Sequence, residues 1–223
     1  ENTALAKQIL ENGNSDLFYA NEEEKGWIDG LHFKVNGEIV RWVYHPDHID
    51  ICKIILNKPI NPGETIRIST PFFVKIPDAK FSRLGHVEQS YMITQWYPKP
   101  AVYDKNGWHE MPYLDQGEFY SEFGSFDISI TLPENYIVGA TGDLQNKQEI
   151  KRLNEIAKVT DTITKFKNDL SFPVSSEKKK TLRYKQNNVH DFAWFADKRF
   201  NVLKGEVVLP HSKKTVTLWT MFT

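Results

Sequence analysis

Hydrophobic and polar residues alternate over short stretches along most of the chain, and a period of two residues predicts β-strands. The clearest case is the pair of stretches 31–35 and 38–43, which flank Asn36-Gly37. An Asn-Gly pair between alternating runs is a strong signal for a tight β-hairpin. Residues 49–56 and 65–70 alternate in the same way. The first third of the chain is therefore predicted to be a series of short antiparallel strands.

The second half shows the same pattern. Residues 125–132 and 136–140 flank Pro133-Glu134-Asn135 and predict a second hairpin. Final strands are predicted at 181–184, 191–195, 205–209 and 215–222, with a turn at 210–212 joining the last two. Residues 71–124 are rich in proline, glycine and aromatic residues without clear periodicity, so we expect an irregular but packed loop region there.

Only two segments have helical spacing. Residues 1–12 place Leu5, Ile9 and Leu10 on one helical face. Residues 147–158 follow Asn146, and Asn146 with Glu149 resembles a capping box. We expect the second helix to be an insertion at about 146–158 on a sheet edge. The pattern as a whole predicts an all-β fold, a sandwich or curved sheet, with one or two short helices.

Composition and charge narrow the class of partner. The chain has 223 residues, 40% of them hydrophobic and 26% charged, which suits a folded domain with a sizeable core. Its 28 basic and 29 acidic residues give a net charge of −1, so we expect no nucleic-acid partner. The polar stretch 175–180 is interpreted as a solvated hairpin tip. No apolar run approaches the roughly 20 residues of a membrane span, so we expect no transmembrane segment.

Motifs for catalysis are absent from the sequence. The seven histidines form no HExxH, and the only close pair, His45 and His48, is interrupted by Pro46. There is no GxSxG, and the single cysteine, Cys52, lies in an alternating stretch typical of a strand. We therefore expect no catalytic residue and no metal site in this chain.

The most distinctive stretch is TQWYPKPAVYD at residues 94–104, followed by GWH at 107–109, PYL at 112–114 and GEFYSEFG at 117–124. These residues resemble the N-terminal domain of M1-family zinc metallopeptidases, the gluzincin or aminopeptidase N-like enzymes, in a bacterial subgroup. Residues 126–132, 138–142 and 189–197 extend the resemblance over most of the chain.

The resemblance implies a single saddle-shaped antiparallel β-sandwich over residues 1–223 that packs on a downstream catalytic domain of the same protein. In the family that domain carries HExxH, a zinc ion and a GxMEN motif. Both motifs are absent from this sequence, so the chain alone is expected neither to bind zinc nor to hydrolyse peptides. An extracytoplasmic location, periplasmic or membrane-associated, is favoured.

The resemblance also implies a substrate-binding loop. In the family, a Thr-Gln-x-(Gln/Glu) segment helps to hold the free α-amine of the peptide substrate. Thr94-Gln95 matches this segment, Trp96 fills the variable position, and Tyr97 replaces the second Gln or Glu. A phenol cannot offer a carboxylate to an ammonium group, but its ring face can make a cation–π contact. The expected substrate-binding residues are Gln95, Trp96 and Tyr97.

Two alternatives remain open on the sequence. The chain is a stand-alone binding module, for example for carbohydrate, if Trp96, Trp108 and Tyr103 form a stacking platform. It is a glycosidase if Glu118 and Glu122 face a groove together.

Overall fold

The computed structural model describes residues 3–166 and 169–223. Strands hold 37% of the residues, and the described part contains two helices, which confirms the predicted all-β class. Neither of these helices combines the length and apolar character needed to cross a membrane.

In chain order, the helices and strands are α1 (Ala4–Glu11), β1 (Trp27–Asp29), β2 (Lys34–Val35), β3 (Glu38–Ile39), β4 (Arg41–Tyr44), β5 (Cys52–Ile55), β6 (Ile68–Ser69), β7 (Phe73–Lys75), β8 (Gly85–Val87), β9 (Ser90–Ile93), β10 (Val102–Asp104), β11 (Gly107–His109), β12 (Gly124–Pro133), β13 (Ile137–Ala140), β14 (Asp143–Leu144), α2 (Lys147–Thr160), β15 (Lys179–Val189), β16 (Trp194–Asp197), β17 (Asn201–Val208) and β18 (Thr215–Phe222).

The chain divides into two compact units. The first runs to Gly85 and continues over Trp96–Glu122, and the second comprises His86–Gln95 and Phe123–Thr223. The single domain expected over residues 1–223 stays a prediction.

In the first unit, the Asn36-Gly37 hairpin is confirmed. Asn36 has φ +51° and Gly37 φ +90°, the left-handed values that a tight hairpin turn requires, and β2 pairs with β3. The return strand ends earlier than predicted, at Ile39, and the next residue, Val40, is only 5% exposed and packs into a core cluster with Leu31 and Phe33. After this break the chain continues as β4, which pairs with β5.

The other predictions for the first unit are confirmed in part. Helix α1 is capped by Thr3, whose hydroxyl accepts a hydrogen bond from the Ala6 amide, and residues 1 and 2 of the predicted helix lie outside the described residues. Ile9 is buried, but Leu10 is 44% exposed. The prediction of an irregular loop over 71–124 is confirmed only in part, since the short strands β7 to β11 lie within it. Each has three or four residues, too few to show a period in the sequence.

The second unit contains the sheets β13-β16-β9-β8 and β12-β15-β14 and the hairpin β17–β18. Helix α2 packs on β17, and their shared core includes Leu153, Ala157 and Val202 with Ile137 of β13. The predicted turn between the last two strands is confirmed, and β18 has the predicted bounds.

The predicted hairpin around Pro133 is wrong. Strand β12 pairs with β15, whereas β13 pairs with β16. The turn residues are held by the segment before β15: the Glu134 amide donates to the Lys178 carbonyl at 2.8 Å, and the Asn135 side chain donates to the Val174 carbonyl at 2.9 Å. These long-range bonds direct the two strands into different sheets.

Helix α2 begins at the predicted residue, but the capping box is wrong. The Asn146 side chain makes no hydrogen bond with the first turn of the helix. It accepts from the Arg183 amide at 2.7 Å and donates to the Thr181 carbonyl at 3.0 Å, so it holds the start of α2 against β15. Glu149 is used elsewhere, in an ion pair with Lys180.

The interpretation of 175–180 as a solvated tip is also wrong in its last residue. The Lys180 side chain is only 12% exposed, and its ammonium lies 2.6 Å from the Glu149 carboxylate. The same ammonium donates to the Tyr136 carbonyl at 2.6 Å. Lys180 is therefore part of the interior of the second unit, because these polar groups compensate for its burial.

A cross-strand ion pair gives a prediction for acid stability. Two nitrogens of Arg183 donate to the two carboxylate oxygens of Asp127, at 2.7 and 2.6 Å. This pairing lowers the pKa of Asp127 from its ordinary value of 3.8 to about 2. A lowered carboxyl pKa stabilises the fold above about pH 4, and the contribution is lost as the pH falls towards 2. Asp127→Asn is expected to flatten the fall in melting temperature between pH 4 and pH 2.

The matched control is Asp143→Asn in the neighbouring β14, since no ion pair joins that carboxylate to another described residue. The control is expected to keep the wild-type pH dependence. Equal pH profiles for wild type and Asp127→Asn would contradict the assignment.

Candidate functional site

The Thr94-Gln95 segment lies where β9 leaves its sheet in the second unit. The last residue of β9, Ile93, is 2% exposed and pairs with Trp194 of β16. Gln95 then has φ +50°, in the left-handed region. That conformation costs a residue other than glycine about 1–3 kcal/mol and is concentrated at functional sites. The backbone at Gln95 is therefore the first structural sign of a site.

Unpartnered polar atoms are the second sign. Among the described residues, Thr94 Oγ1, Gln95 Oε1 and Trp194 Nε1 are buried and have no hydrogen-bond partner. Leaving a buried donor or acceptor unpaired costs about 1–3 kcal/mol for each group. Groups of this kind are rare in folded proteins, and each one calls for an explanation.

Trp96 and Tyr97 belong to the first unit. The Trp96 ring lies 6.0 Å from the Phe72 ring and 5.3 Å from the Tyr97 ring, the latter in an edge-to-face arrangement. Both side chains are half-buried. The three predicted substrate-binding residues are thus consecutive in sequence, but Gln95 belongs to the second unit and the other two to the first.

The β10–β11 hairpin carries an exposed pair of aromatic rings in the first unit. Tyr103 and Trp108 are cross-strand partners, each 66% exposed, with ring centroids 5.0 Å apart and a tilt of 60°. On the opposite face of the hairpin, Val102 is 6% exposed, and His109 Nε2 lies 2.8 Å from Asp104 Oδ1. The hydrogen bond from His109 lowers the pKa of Asp104. The rings therefore stand on a supported hairpin.

The two glutamates of the glycosidase alternative gain no support from the structure. The Glu118 carboxylate accepts a hydrogen bond from Arg83 at 2.6 Å, and this bond raises the pKa of Arg83. Glu122 is exposed. A glycosidase needs one carboxyl group that remains protonated, and a guanidinium partner favours the ionised form instead.

A metal site and a catalytic nucleophile gain no more support from the structure than the glycosidase pair. Within the described ranges, no group of three or more His, Cys, Asp or Glu residues could hold a metal ion. His45 and His48 stack, with ring centroids 5.0 Å apart. Burial raises the pKa of the Cys52 thiol, which disfavours the reactive thiolate. The zinc expected in a downstream domain stays a prediction about sequence outside this chain.

Sequence reasoning did not single out Trp194 as a site residue. The residue is part of the stretch 189–197 that extends the family resemblance, but its pairing with Ile93 is a contact between residues about 100 positions apart. A strand pattern alone does not predict which distant strand will be the neighbour.

Comparisons with known proteins identify no relative. No family model matches the chain, and no curated protein and no solved structure matches it significantly. The M1 resemblance therefore rests on the sequence motifs alone.

Proposed function

We propose that this chain is the non-catalytic N-terminal domain, a saddle-shaped β-sandwich, of an M1-like zinc aminopeptidase. In this proposal it packs on a downstream catalytic domain, and residues 94–97 contribute to the subsite for the free N-terminus of the peptide substrate. One observation supports the assignment most: Gln95, at the matching position of the motif, has a left-handed backbone and a buried amide oxygen without a partner.

The chemistry of Gln95 suits an amine ligand. A peptide α-amine has a pKa of about 8, so it is an ammonium group at neutral pH and offers three N–H donors. The Gln95 amide oxygen can only accept hydrogen bonds, and the Thr94 hydroxyl can also accept. A hydrogen bond to a charged group contributes about 1.5–3 kcal/mol.

Gln95→Met in the complete protein tests this proposal, because methionine has a similar length and lacks the amide oxygen. We expect kcat/KM for peptides with a free N-terminus to fall about 10- to 100-fold. The same peptides with an acetylated N-terminus have no ammonium group for Gln95 to hold, so their inhibition of the enzyme should not change. Gln148→Met, on the exposed face of α2, is the matched control and should leave both measurements unchanged. Unchanged kinetics in Gln95→Met would remove the site assignment.

The exposed Tyr103–Trp108 pair favours a second candidate, a stand-alone carbohydrate-binding module. Aromatic rings stack on the apolar faces of sugars, and 66% exposure leaves each ring accessible to a ligand. The hairpin beneath the rings is held by the Asp104–His109 pair, so the platform is formed before the ligand binds.

The double variant Tyr103→Ala with Trp108→Ala tests the second candidate. If the platform binds sugar, affinity for a binding oligosaccharide from a panel of hexose oligomers should fall about 10- to 100-fold. Tyr19→Ala is the matched control, since Tyr19 is 78% exposed in the same unit and also contacts one aromatic neighbour, Phe18. Failure of the wild-type chain to bind any member of the panel would rule this candidate out.

A further inference from the structure

The outer half of the β17–β18 hairpin in the second unit is exposed on both faces. Every residue from 204 to 218 is exposed, whereas at the base of the hairpin Val202 and Met221 pack in the core cluster that includes α2. Neither strand pairs with a further strand among the described residues. A two-stranded hairpin by itself is only marginally stable in water. The outer half therefore calls for a partner that the described residues do not supply.

The two faces of the hairpin differ in charge. Successive side chains of a strand point to opposite faces, and cross-strand partners share a face. Lys204 and Glu206 lie on the same face as Val202, which α2 covers at its base. The opposite face, the uncharged face, comprises alternate positions over 201–207 and 216–222 and contains no charged residue. Its apolar members are Leu203, Val207, Val216, Leu218 and Phe222.

The uncharged face has the composition of a packed surface. When an antiparallel sheet has one packed and one solvated face, the solvated face carries the polar residues. Val207, Val216 and Leu218 are nevertheless 42%, 37% and 48% exposed. In the outer half of the hairpin the charged residues, Lys204 and Glu206, lie on the other face. That other face is therefore suited to water, and the uncharged face to a partner.

The size of the uncharged face indicates the kind of partner. Eight paired residues make a hairpin about 27 Å long, and two strands are about 10 Å wide, so the face covers about 270 Å². Counting both partners gives about 540 Å², well below the roughly 1,200–2,000 Å² that stable complexes of separate proteins bury. Interfaces between domains of one chain begin near about 600 Å². A tether also raises the effective concentration of the partner to the millimolar range, so the size favours a tethered domain over a second copy.

We infer that the uncharged face of the β17–β18 hairpin is the surface on which the downstream domain packs. This inference rests on the proposed function and assigns its interface to one surface. Val207 and Leu218 become buried there, whereas Glu206 stays in water. In the proposed protein, the polypeptide that follows residue 223 leaves the hairpin beside Phe222, at the base of the same face.

Cysteine labelling of the complete protein tests this inference. The thiol of Leu218→Cys should react with iodoacetamide about tenfold more slowly, or slower still, than the thiol of Thr217→Cys. Thr217 is the matched control, since it is the adjacent residue, is also exposed and lies on the opposite face. Each rate is divided by that of the same thiol in the unfolded protein, and mass spectrometry of the labelled peptide distinguishes the new thiol from other cysteines. Val207→Cys gives a second reading on the uncharged face and should be slowed as well.

The outcomes separate this inference from the proposed function. Equal rates for Leu218→Cys and Thr217→Cys overturn the inference even when Gln95→Met lowers peptidase activity, and the proposed function then stands. Labelling at residue 218 that is slow in concentrated protein and fast after dilution would place a second copy on the face, which also overturns the inference. A reading frame that stops near Thr223 removes the downstream domain, and the proposed function and the inference then fail together.

Discussion

Replacing Glu149 with glutamine is expected to lower the free energy of unfolding by about 3–5 kcal/mol, because it leaves a buried charge without its partner. The Glu149 side chain is 9% exposed and lies 2.6 Å from the ammonium of Lys180, which is 12% exposed. Burial lowers the pKa of Lys180, and the carboxylate opposes that shift. Arg152 also donates to Glu149, at 2.8 Å. Glutamine keeps the shape of the side chain but removes the negative charge that pairs with Lys180 and Arg152.

Chemical denaturation measures this loss directly. Glu155→Gln is the matched control on the same helix, since its partner Lys151 is 3.8 Å away and the two side chains are 63% and 80% exposed. An exposed pair of this kind contributes about 0.3–0.5 kcal/mol. We further expect Lys180→Met to restore part of the stability lost in Glu149→Gln, because the double variant removes the buried ammonium that the first change leaves unpaired. Equal losses in the Glu149 and Glu155 variants would contradict the buried network.

Gly142→Ala is expected to destabilise the chain by about 2–5 kcal/mol. Gly142 has φ +89°, a value that costs an alanine about 1–2 kcal/mol. A Cβ atom at this position would also lie 2.6 Å from the Lys185 carbonyl oxygen of β15 and 2.8 Å from the Gln186 Cβ. Because the closest atom belongs to the backbone of a paired strand, relief requires β15 to move, which adds about 1–3 kcal/mol.

Gly37→Ala separates the two costs in the same denaturation experiment. Gly37 has a similar φ of +90°, but a Cβ atom there would meet nothing within 4 Å. The control should therefore lose only the conformational cost of about 1–2 kcal/mol. If Gly142→Ala were no more destabilising than Gly37→Ala, the close approach of Gly142 to β15 would be contradicted.

The parts of the fold that sequence predicts well are those controlled by neighbours along the chain. The Asn36-Gly37 turn follows from the left-handed conformations that these two residues adopt readily, and the β17–β18 hairpin follows from alternation on both sides of a short turn. The start of α2 at Lys147 was also predictable from local spacing. For the two turns the deciding interaction lies within a few residues, whereas Asn146 at the start of α2 bonds to Thr181 and Arg183 of β15.

The predictions that failed depended on distant partners. Pro133 and its neighbours have the composition of a hairpin turn, but bonds to Lys178 and Val174 separate β12 from β13. Lys180 has the sequence of a solvated residue, yet Glu149 compensates for its burial from 31 positions away. Local patterns contain no information on such contacts.

The same distinction between local and long-range contacts applies to the candidate site. Gln95 was found from a motif of adjacent residues, and the structure adds its left-handed backbone and unpartnered oxygen. The unpartnered nitrogen of Trp194 is seen only in the structure, where β16 lies beside β9.

The measurement that tests the central claim most directly is to read the coding sequence that follows codon 223. If the chain is the N-terminal domain of an M1-like peptidase, the frame continues into a domain with an HExxH motif and a more distant glutamate, the ligand set of a catalytic zinc site. A frame that stops near Thr223, or that continues without these residues, would contradict the peptidase assignment.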